Sequence, residues 1–431
     1  MDPATRAALA PEARHWPIFV FFLFALLPAL LSSAVTSILM SYFATFAVTW
    51  WLFSGAKLDA ELAVMLLPFL AMIGLGLVGC SAHSVYEIVK DVWYIGNAAL
   101  VLMVGYVLML SLRDLRRLFI IFVLCGVLAS LLHLLPFALN PRLFDLSLEA
   151  ERKIAPASFL SILAMLLLVA SWRERMRLFG RHAWLGYVAF LVCSASAALA
   201  ASRTMIISLL LLLLTLFRWI DFSRGSRNFI LGMLLALTVL AGWLIPEQTV
   251  RSRTPNLFEK LLSSFQETST QDYTSIADIN EKWRGYEAAR ALRTYEQGNA
   301  LQLLLGQGLG TDVDLGLYMP IGQEKIRYAP ILHNGYLYAL VKTGAIGLAL
   351  YVFPLLYFLR YGTRLGGSSV AQIALAGKLI AGLCLVFLFS TSVIAGLLNK
   401  LALIPVSLLF GALVAYASRI SAGTRESVWR F

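Results

Sequence analysis

The feature that most constrains this chain is a succession of apolar runs near or above the roughly 17 residues that a helix needs to cross a lipid bilayer. Sixty per cent of the residues are hydrophobic and 14% are charged, whereas a soluble domain carries about 25% charged residues. We therefore predict an all-α polytopic membrane protein. The twelve predicted spans are 16–32, 34–53, 59–79, 93–112, 118–139, 156–172, 183–201, 203–220, 228–245, 335–359, 370–390 and 393–417.

Several junctions and ends follow from the same pattern. Three predicted junctions between spans are tight, at Ser32–Ser33, Ala200–Ser202 and Ser390–Ser392. The polar N-terminal segment precedes an apolar run without a small-residue cleavage site, which favours a retained first span over a signal peptide. The four cysteines lie in or at the ends of apolar runs, so no disulfide framework is predicted.

The distribution of basic residues predicts the orientation of the spans. A net charge of +11 would suit a protein that binds nucleic acid, but the basic residues lie mostly in short loops. The short segments on one side of the predicted membrane are rich in arginine. Those on the other side hold few basic residues: Lys90, Arg142, Arg152, Lys153 and Arg203. By the positive-inside rule both termini are cytoplasmic, the number of spans is even, and no nucleic-acid partner is predicted.

This orientation puts the long polar segment 246–332 on the side of the membrane opposite the cytoplasm, which is the periplasm in a Gram-negative cell. The predicted organisation is a bundle of nine spans in 1–245, a periplasmic loop subdomain in 246–332, and three spans with a cytoplasmic tail in 333–431. Apolar residues at helical spacing predict two helices in the loop, at 255–267 and 278–299. A short apolar turn and a glycine-rich stretch follow, so the loop is expected to be helical.

A histidine stands where this loop re-enters lipid. His333 and Asn334 begin the tenth span, and Tyr336 follows within the first turn. A titratable imidazole at such a boundary suits proton chemistry at a membrane surface. The alternative is a histidine that marks the interface and hydrogen-bonds a lipid headgroup.

Two arginines fall on the same predicted face. Arg203 follows a run of small residues at the start of a span, where an arginine costs several kcal/mol unless it is paired or hydrated. Its alternative role is snorkelling to the interface. Arg284 lies on the predicted loop helix, and its alternative is a solvated salt bridge with Glu281 or Glu287. Two further arginines on that helix compete with it: Arg290 and Arg293.

The other polar and glycine patterns are interpreted as non-catalytic. The intramembrane lysines are expected to snorkel, although the last of them is near enough to the outer face to reach the same site. They are Lys342, Lys378 and Lys400. Gly344 and Gly347 are interpreted as close helix packing.

Two patterns resemble known sites but lack their context. Asp312 and Asp314 have the spacing of a metal-binding pair, and GQGLG at 306–310 is rich in glycine. The acidic pair stands alone in an acidic loop, and the glycines lack the strand, crossover helix and later acidic residue of a dinucleotide site. The five histidines are scattered, so no metal site is predicted.

The segment HNGYLYALVKTGAIGLALY at 333–351 resembles the histidine–asparagine motif and following Gly-x-x-Gly span of bacterial O-antigen ligases. O-antigen polymerases and some oligosaccharyltransferases that act on pilins share this module. NEKWRGYEAA at 280–289, followed by LLLGQGLG at 303–310, is similar to the loop of the family. The resemblance implies a fold like the C-type glycosyltransferases in the bacterial inner membrane, with twelve spans, cytoplasmic termini and a periplasmic active site.

The resemblance also implies a reaction and its residues. A glycan on undecaprenyl diphosphate is transferred, with inversion, to a sugar hydroxyl of the lipid A–core, without a metal or other cofactor. The motif histidine of the family matches His333, its loop arginine matches Arg284, and the arginine at the outer end of the eighth span matches Arg203. Guanidinium groups suit a diphosphate and imidazole suits proton transfer, although His333 could instead contact the diphosphate. Asn334 and Tyr336 are possible supporting residues.

Three other functions stay open from the sequence. An O-antigen polymerase uses the same donor with a lipid-linked acceptor, and a protein O-oligosaccharyltransferase uses it with a protein acceptor. The third is a membrane transporter, although inspection finds none of the paired repeats that many transporters carry. Membrane lipids are expected partners in every case.

Overall fold

The computed structural model describes residues 16–31, 33–53, 59–80, 83–145, 154–219, 279, 283–321, 324–398 and 401–428. The predicted ninth span at 228–245 and the predicted loop helix at 255–267 lie outside the described residues, as do Glu281 and Lys400. Most of the described residues are helical.

Of the α-helices that the structure describes, eight precede the long polar segment, and each overlaps a predicted span. They are α1 (Trp16–Leu30), α2 (Ser33–Phe53), α3 (Ala60–Val78), α4 (Val85–Leu112), α5 (Leu115–Leu139), α6 (Leu160–Arg173), α7 (Trp184–Ala200) and α8 (Arg203–Leu216). A short 3₁₀ helix, Pro141–Asp145, follows α5. The tight junctions predicted before α2 and between α7 and α8 are present. Helix α4 begins earlier than predicted because Ser84 and Glu87 form a capping box at its first turn.

The part of the long segment that the structure describes mixes helix and strand. It contains α9 (Trp283–Glu296), α10 (Ala300–Leu305), β1 (Val313–Ile321) and β2 (Glu324–Ala329). The strands pair antiparallel, Val313 opposite Ala329, with an irregularity between Asp314 and Met319. The expectation of a helical loop is therefore wrong for residues 313–329, where alternating buried and exposed side chains indicate a half-buried hairpin.

In the described residues after the hairpin there are three α-helices: α11 (Gly335–Leu365), α12 (Ala371–Ile394) and α13 (Ile404–Val428), the last preceded by a 3₁₀ turn at Leu401–Leu403. The predicted junction at Ser390–Ser392 is wrong. The hydroxyls of Ser390 and Thr391 bond to the carbonyl oxygen of Phe387 within α12, so these residues do not interrupt the helix. Helix α12 instead ends at Ile394, and the next residue, Ala395, adopts a left-handed conformation.

Close backbone contacts hold the bundle together. Six of the described helices are long and apolar enough to cross a membrane: α3, α4, α5, α11, α12, and the last helix together with its 3₁₀ turn. Gly105 of α4 lies against the backbone of Leu408 in α13, and Gly411 of α13 lies against the backbone of Leu102. Small residues at such crossings let helices approach closely, which is the main source of attraction between helices in lipid.

Helices α9 and α10 pack on α11, α10 also contacts α3, and the hairpin packs on α9. The four elements that the structure describes in the polar segment therefore gather at one end of the bundle. We refer to this as the loop end.

Candidate functional site

The head of α11 is fixed by contacts with two other helices. The backbone N–H of His333 donates to Oε2 of Glu287 on α9 at 2.7 Å, and its carbonyl oxygen accepts from Ala395 N at the end of α12 at 2.6 Å. The side chain of Asn334 caps α11 by accepting hydrogen bonds from the backbone N–H groups of Tyr336 and Leu337. His333 thus lies at a junction of α9, α11 and α12.

The imidazole of His333 is paired with a buried carboxylate. Its Nδ1 lies 3.2 Å from both Oε1 and Oε2 of Glu287. The side chain of Glu287 is 3% exposed, whereas that of His333 is 40% exposed. One side of the ring therefore contacts protein, and the remainder is open to a reactant.

Arg284 lies on α9, three residues before Glu287, and its side chain is exposed. Residues at this spacing lie on one face of a helix, so Arg284 and the partner of His333 share that face. The structure also shows a different environment for Arg290, one of the two other arginines on this helix that the sequence could not rank against Arg284. Arg290 donates from Nε to the carbonyl oxygen of Asp314 at 2.8 Å, which ties α9 to the hairpin. Arg293 is exposed near the end of α9.

Arg203 begins α8 and is partly buried. At the other end of α8, the guanidinium of Arg173 lies over the ring of Phe217. Glu174, which follows Arg173 in the sequence, pairs with Lys378 in the first half of α12. Helix α8 therefore runs antiparallel to α12. Its first residue lies towards the last turns of α12, the end that binds the carbonyl oxygen of His333. Arg203 and His333 are at the same end of the bundle.

Tyr336 joins α11 to α12. Its hydroxyl donates to the carbonyl oxygen of Leu388 at 2.6 Å, and its ring packs edge-on against Tyr351. The hydroxyl of Tyr351 in turn lies 2.6 Å from that of Thr391. Asn334 and Tyr336 are therefore supports of the helix head, through a cap and a packing contact.

The helix that carries the histidine motif is broken at Gly344, whose φ is 68° and ψ −170°. Gly306, in the GQGLG segment, has φ 88° and ψ 170° and lies against the backbone of Lys342 and Thr343. Both conformations belong to a region that essentially only glycine adopts. The position of Gly344 in a predicted span indicates helix–helix packing, and this interpretation is wrong. In the structure, the conformation of Gly344 instead lets a loop approach the helix closely.

The GQGLG segment binds the backbone groups that this break exposes. The N–H of Gln307 donates to the carbonyl oxygen of Val341 at 2.9 Å, and that of Gly308 donates to Lys342 at 3.2 Å. A third bond runs from Leu309 N to the carbonyl oxygen of Gly76, in the last turn of α3, at 2.8 Å. A helix end leaves such carbonyls without intrahelical partners, and here the loop supplies them.

A buried ion pair lies directly below this loop. Lys342 Nζ is 2.7 Å from Oδ2 of Asp91 on α4, and both side chains are at most 3% exposed. Asp91 also accepts from the hydroxyl of Tyr338 at 2.6 Å and from the N–H of Gly310 at 2.7 Å. The expectation that Lys342 snorkels is therefore wrong, because Asp91 gives its charge a partner inside the protein. Lys378 is also largely buried and pairs with Glu174 at 3.4 Å.

The two acidic residues of the loop, Asp312 and Asp314, lie in different environments. Arg327 binds Asp314 through Nε at 3.0 Å and Nη2 at 3.1 Å, and these bonds lower the pKa of Asp314 to about 2. Burial raises the pKa of Asp312 above its usual value. Within the described ranges, no group of three His, Cys, Asp or Glu side chains is arranged to hold a metal ion.

Residues 188–352 match the family model for the O-antigen ligase domain. The match supports assignment of this part of the chain to the O-antigen ligase family. The matched ligase domain runs from α7 through the polar segment to beyond the break in α11, so it contains Arg203, Arg284 and His333. No curated protein matches the chain.

The ligase domain sets the general function. Its members are glycosyltransferase-like enzymes of the ligase and polymerase type in lipopolysaccharide assembly, and they act on a lipid-linked glycan donor and a lipid acceptor. Together with the apolar helices, the domain indicates a protein of the bacterial inner membrane.

The sequence did not predict the contacts of three side chains in the ligase domain and its surroundings: Glu287, Asp91 and Lys342. Glu287 was visible only as a salt-bridge partner of Arg284, because nothing local links α9 to a residue 46 positions later. Asp91 and Lys342 each look like isolated charges near apolar runs. An acidic residue next to the start of one predicted span and a basic residue inside another are a signal that could have paired them.

Proposed function

We propose that the protein transfers O-antigen glycan from undecaprenyl diphosphate to a sugar hydroxyl of the lipid A–core, with inversion at the anomeric carbon. One observation carries the proposal. Within a ligase domain, a half-exposed imidazole backed by a buried carboxylate lies at the same end of the bundle as two arginines. Imidazole and guanidinium are the groups that hydroxyl activation and diphosphate departure require.

His333 acts as the general base in this proposal. The acceptor hydroxyl loses its proton to Nε2 of His333, and its oxygen forms a bond to the anomeric carbon of the donor sugar. The bond between that carbon and the diphosphate oxygen breaks, and undecaprenyl diphosphate leaves with the electron pair. Attack from the face opposite the leaving group inverts the anomeric carbon.

Arg203 and Arg284 bind the diphosphate. Negative charge on the diphosphate grows as the bond to the sugar breaks, so cations held nearby stabilise the transition state more than the ground state. Their planar guanidinium groups match phosphate oxygens in pairs. The two arginines supply the positive charge, so the proposed reaction requires no divalent metal.

The proposed orientation follows from the distribution of basic residues. Both termini face the cytoplasm, and the loop end, with the reactants, faces the periplasm.

The test is a reconstituted transfer assay. Purified protein in detergent would receive undecaprenyl-diphosphate-linked glycan and rough lipopolysaccharide, with a chelator of divalent metals. We expect glycan on the lipid A–core and its loss in Arg284→Gln, while the matched variant Arg293→Gln on the same helix keeps its rate. Lengthening of the glycan on undecaprenyl would instead establish a polymerase. Transfer to a pilin peptide only would establish a protein oligosaccharyltransferase, and a requirement for added metal would refute the proposed chemistry.

A further inference from the structure

We infer that Glu287 is a positioning residue that holds His333 in the neutral tautomer with its proton on Nδ1. The inference rests on the proposed function and adds to it, because it concerns how the base is made competent. The two residues are 46 positions apart in sequence and come together only in the folded protein.

The hydrogen-bond geometry determines which nitrogen carries the proton. A carboxylate can only accept hydrogen bonds, and Glu287 receives the backbone N–H of His333 at 2.7 Å. The remaining contact, from Nδ1 at 3.2 Å, is therefore a donation from the ring to the carboxylate. In a neutral imidazole this leaves Nε2 with a free lone pair, and Nε2 is the nitrogen that can take a proton from a hydroxyl.

Burial makes Glu287 unsuitable for direct contact with a reactant. Its side chain is 3% exposed, against 40% for His333. The carboxylate therefore acts through the imidazole. When the imidazole takes up a proton, the carboxylate stabilises the imidazolium that forms, because a charge pair interacts more strongly in a poorly hydrated site.

The position of Glu287 is set by rigid elements on both sides. On the same helix, Tyr286 donates from its hydroxyl to the carbonyl oxygen of Leu315, and Arg290 binds Asp314. These bonds attach α9 to the hairpin, while Glu287 attaches it to the head of α11. A site held by packed helices and strands positions a base more accurately than one held by a mobile loop.

The same geometry suits the general-base role of His333. A buried carboxylate aimed at Nδ1 orients the ring and selects the neutral tautomer whose Nε2 lone pair can take a proton.

The experiment measures the tautomer and the rate on the same variants. In protein labelled with ¹⁵N-histidine, the His333 signals are identified by their loss in His333→Ala. We expect neutral His333 to carry its proton on Nδ1, and Glu287→Gln to weaken this preference. Because this measurement needs no substrate, it tests the inference even if the proposed reaction proves wrong.

The kinetic arm separates positioning from a general structural role. We expect Glu287→Gln to lower kcat by about 10- to 1,000-fold with KM changed less than about threefold, and Glu287→Asp to recover part of the rate. The control Glu296→Gln, at an exposed position of α9, should keep the rate. In the His333→Ala background, Glu287→Gln should cost nothing further, because a positioning residue acts only through the base.

Two results would overturn the inference. One is a His333 whose neutral form carries its proton on Nε2. The other is a Glu287→Gln effect that is as large in the His333→Ala background as in the parent protein, which would mean that Glu287 supports the fold alone.

Discussion

Two of the described histidines towards the loop end of the bundle, His133 and His333, lie in opposite environments. His133 in α5 is 4% exposed, and its Nδ1 is 2.9 Å from the hydroxyl of Ser196 in α7. His333 is half-exposed and contacts a carboxylate. Among the described residues, the hydrogen-bond partner of His133 is a neutral hydroxyl, which stabilises a charged ring less than a carboxylate does. The comparison shows that partner and exposure, not residue type, separate a packing histidine from a candidate base.

The two regions also differ in how their hydrogen bonds are distributed. Around His133 the hydroxyls of Ser130, Ser161 and Ser196 form a chain across three helices, with oxygen–oxygen distances of 2.9 and 3.3 Å. Such bonds between membrane helices average about 0.6 kcal/mol each, so no single member dominates. At His333, in contrast, a single carboxylate accepts hydrogen bonds from both the backbone N–H and the ring.

The largest difference is expected between alanine variants of the two histidines. His333→Ala should lower the transfer rate by about 10²- to 10⁴-fold, the usual contribution of a general base. His133→Ala should keep the rate per folded molecule and lower the thermal stability in detergent, because the buried hydroxyl of Ser196 loses one of its partners. Equal losses of rate in both variants, measured at matched folded fractions, would contradict the distinction.

The next largest effect is expected at the buried ion pair. Lys342→Met leaves the carboxylate of Asp91 uncompensated, which typically costs about 3–5 kcal/mol, so we expect a marked fall in thermal stability. The double variant Asp91→Asn/Lys342→Met removes both charges and should recover much of it. Lys325→Met, at an exposed position of the hairpin, is the control and should change little. A double variant no better than Lys342→Met would mean that the pair is not the source of the stability.

A smaller effect is expected from replacing a glycine that lets the GQGLG segment pack against the backbone of α11. Gly306→Ala puts a Cβ against the backbone of Lys342 and Thr343 and forces a conformation that costs alanine about 1–3 kcal/mol. We expect faster hydrogen exchange at Gln307 and Gly308 and a lower transfer rate. Gly74→Ala on α3, where a Cβ has open space, is the matched control. Unchanged exchange in Gly306→Ala would argue against docking through the backbone.

Much of the bundle could be predicted from sequence because apolar runs report directly on burial in lipid. The α7–α8 junction was found at Ala200–Ser202, where the helix ends in a left-handed Ala201. The same reasoning failed at Ser390–Ser392, because a serine or threonine hydroxyl can bond within its own helix as readily as it can end one. Local composition does not distinguish these outcomes.

The candidate site was only partly predictable for a different reason. His333 and Arg203 stand out because each is a charged or titratable residue near an apolar boundary, and Arg284 stands out only through the resemblance of its segment to the loop of the family. Glu287 does not, because its role depends on the approach of α9 to α11 across the intervening hairpin. The glycines of GQGLG carry a local signal for unusual backbone, but what they dock against is set by the break at Gly344.

The smallest predicted effect returns to the neutral cluster and measures how evenly it shares its contribution. Ser161 bridges the other members, lying 2.9 Å from the hydroxyl of Ser130 and 3.3 Å from that of Ser196. Ser161→Ala removes both contacts, and we expect a loss of roughly 1 kcal/mol or less, with no change in the transfer rate. Thermal unfolding in detergent and the transfer assay would measure the two quantities. A loss of transfer in folded Ser161→Ala would extend the functional site to this cluster, and the contrast between the two histidines would then no longer hold.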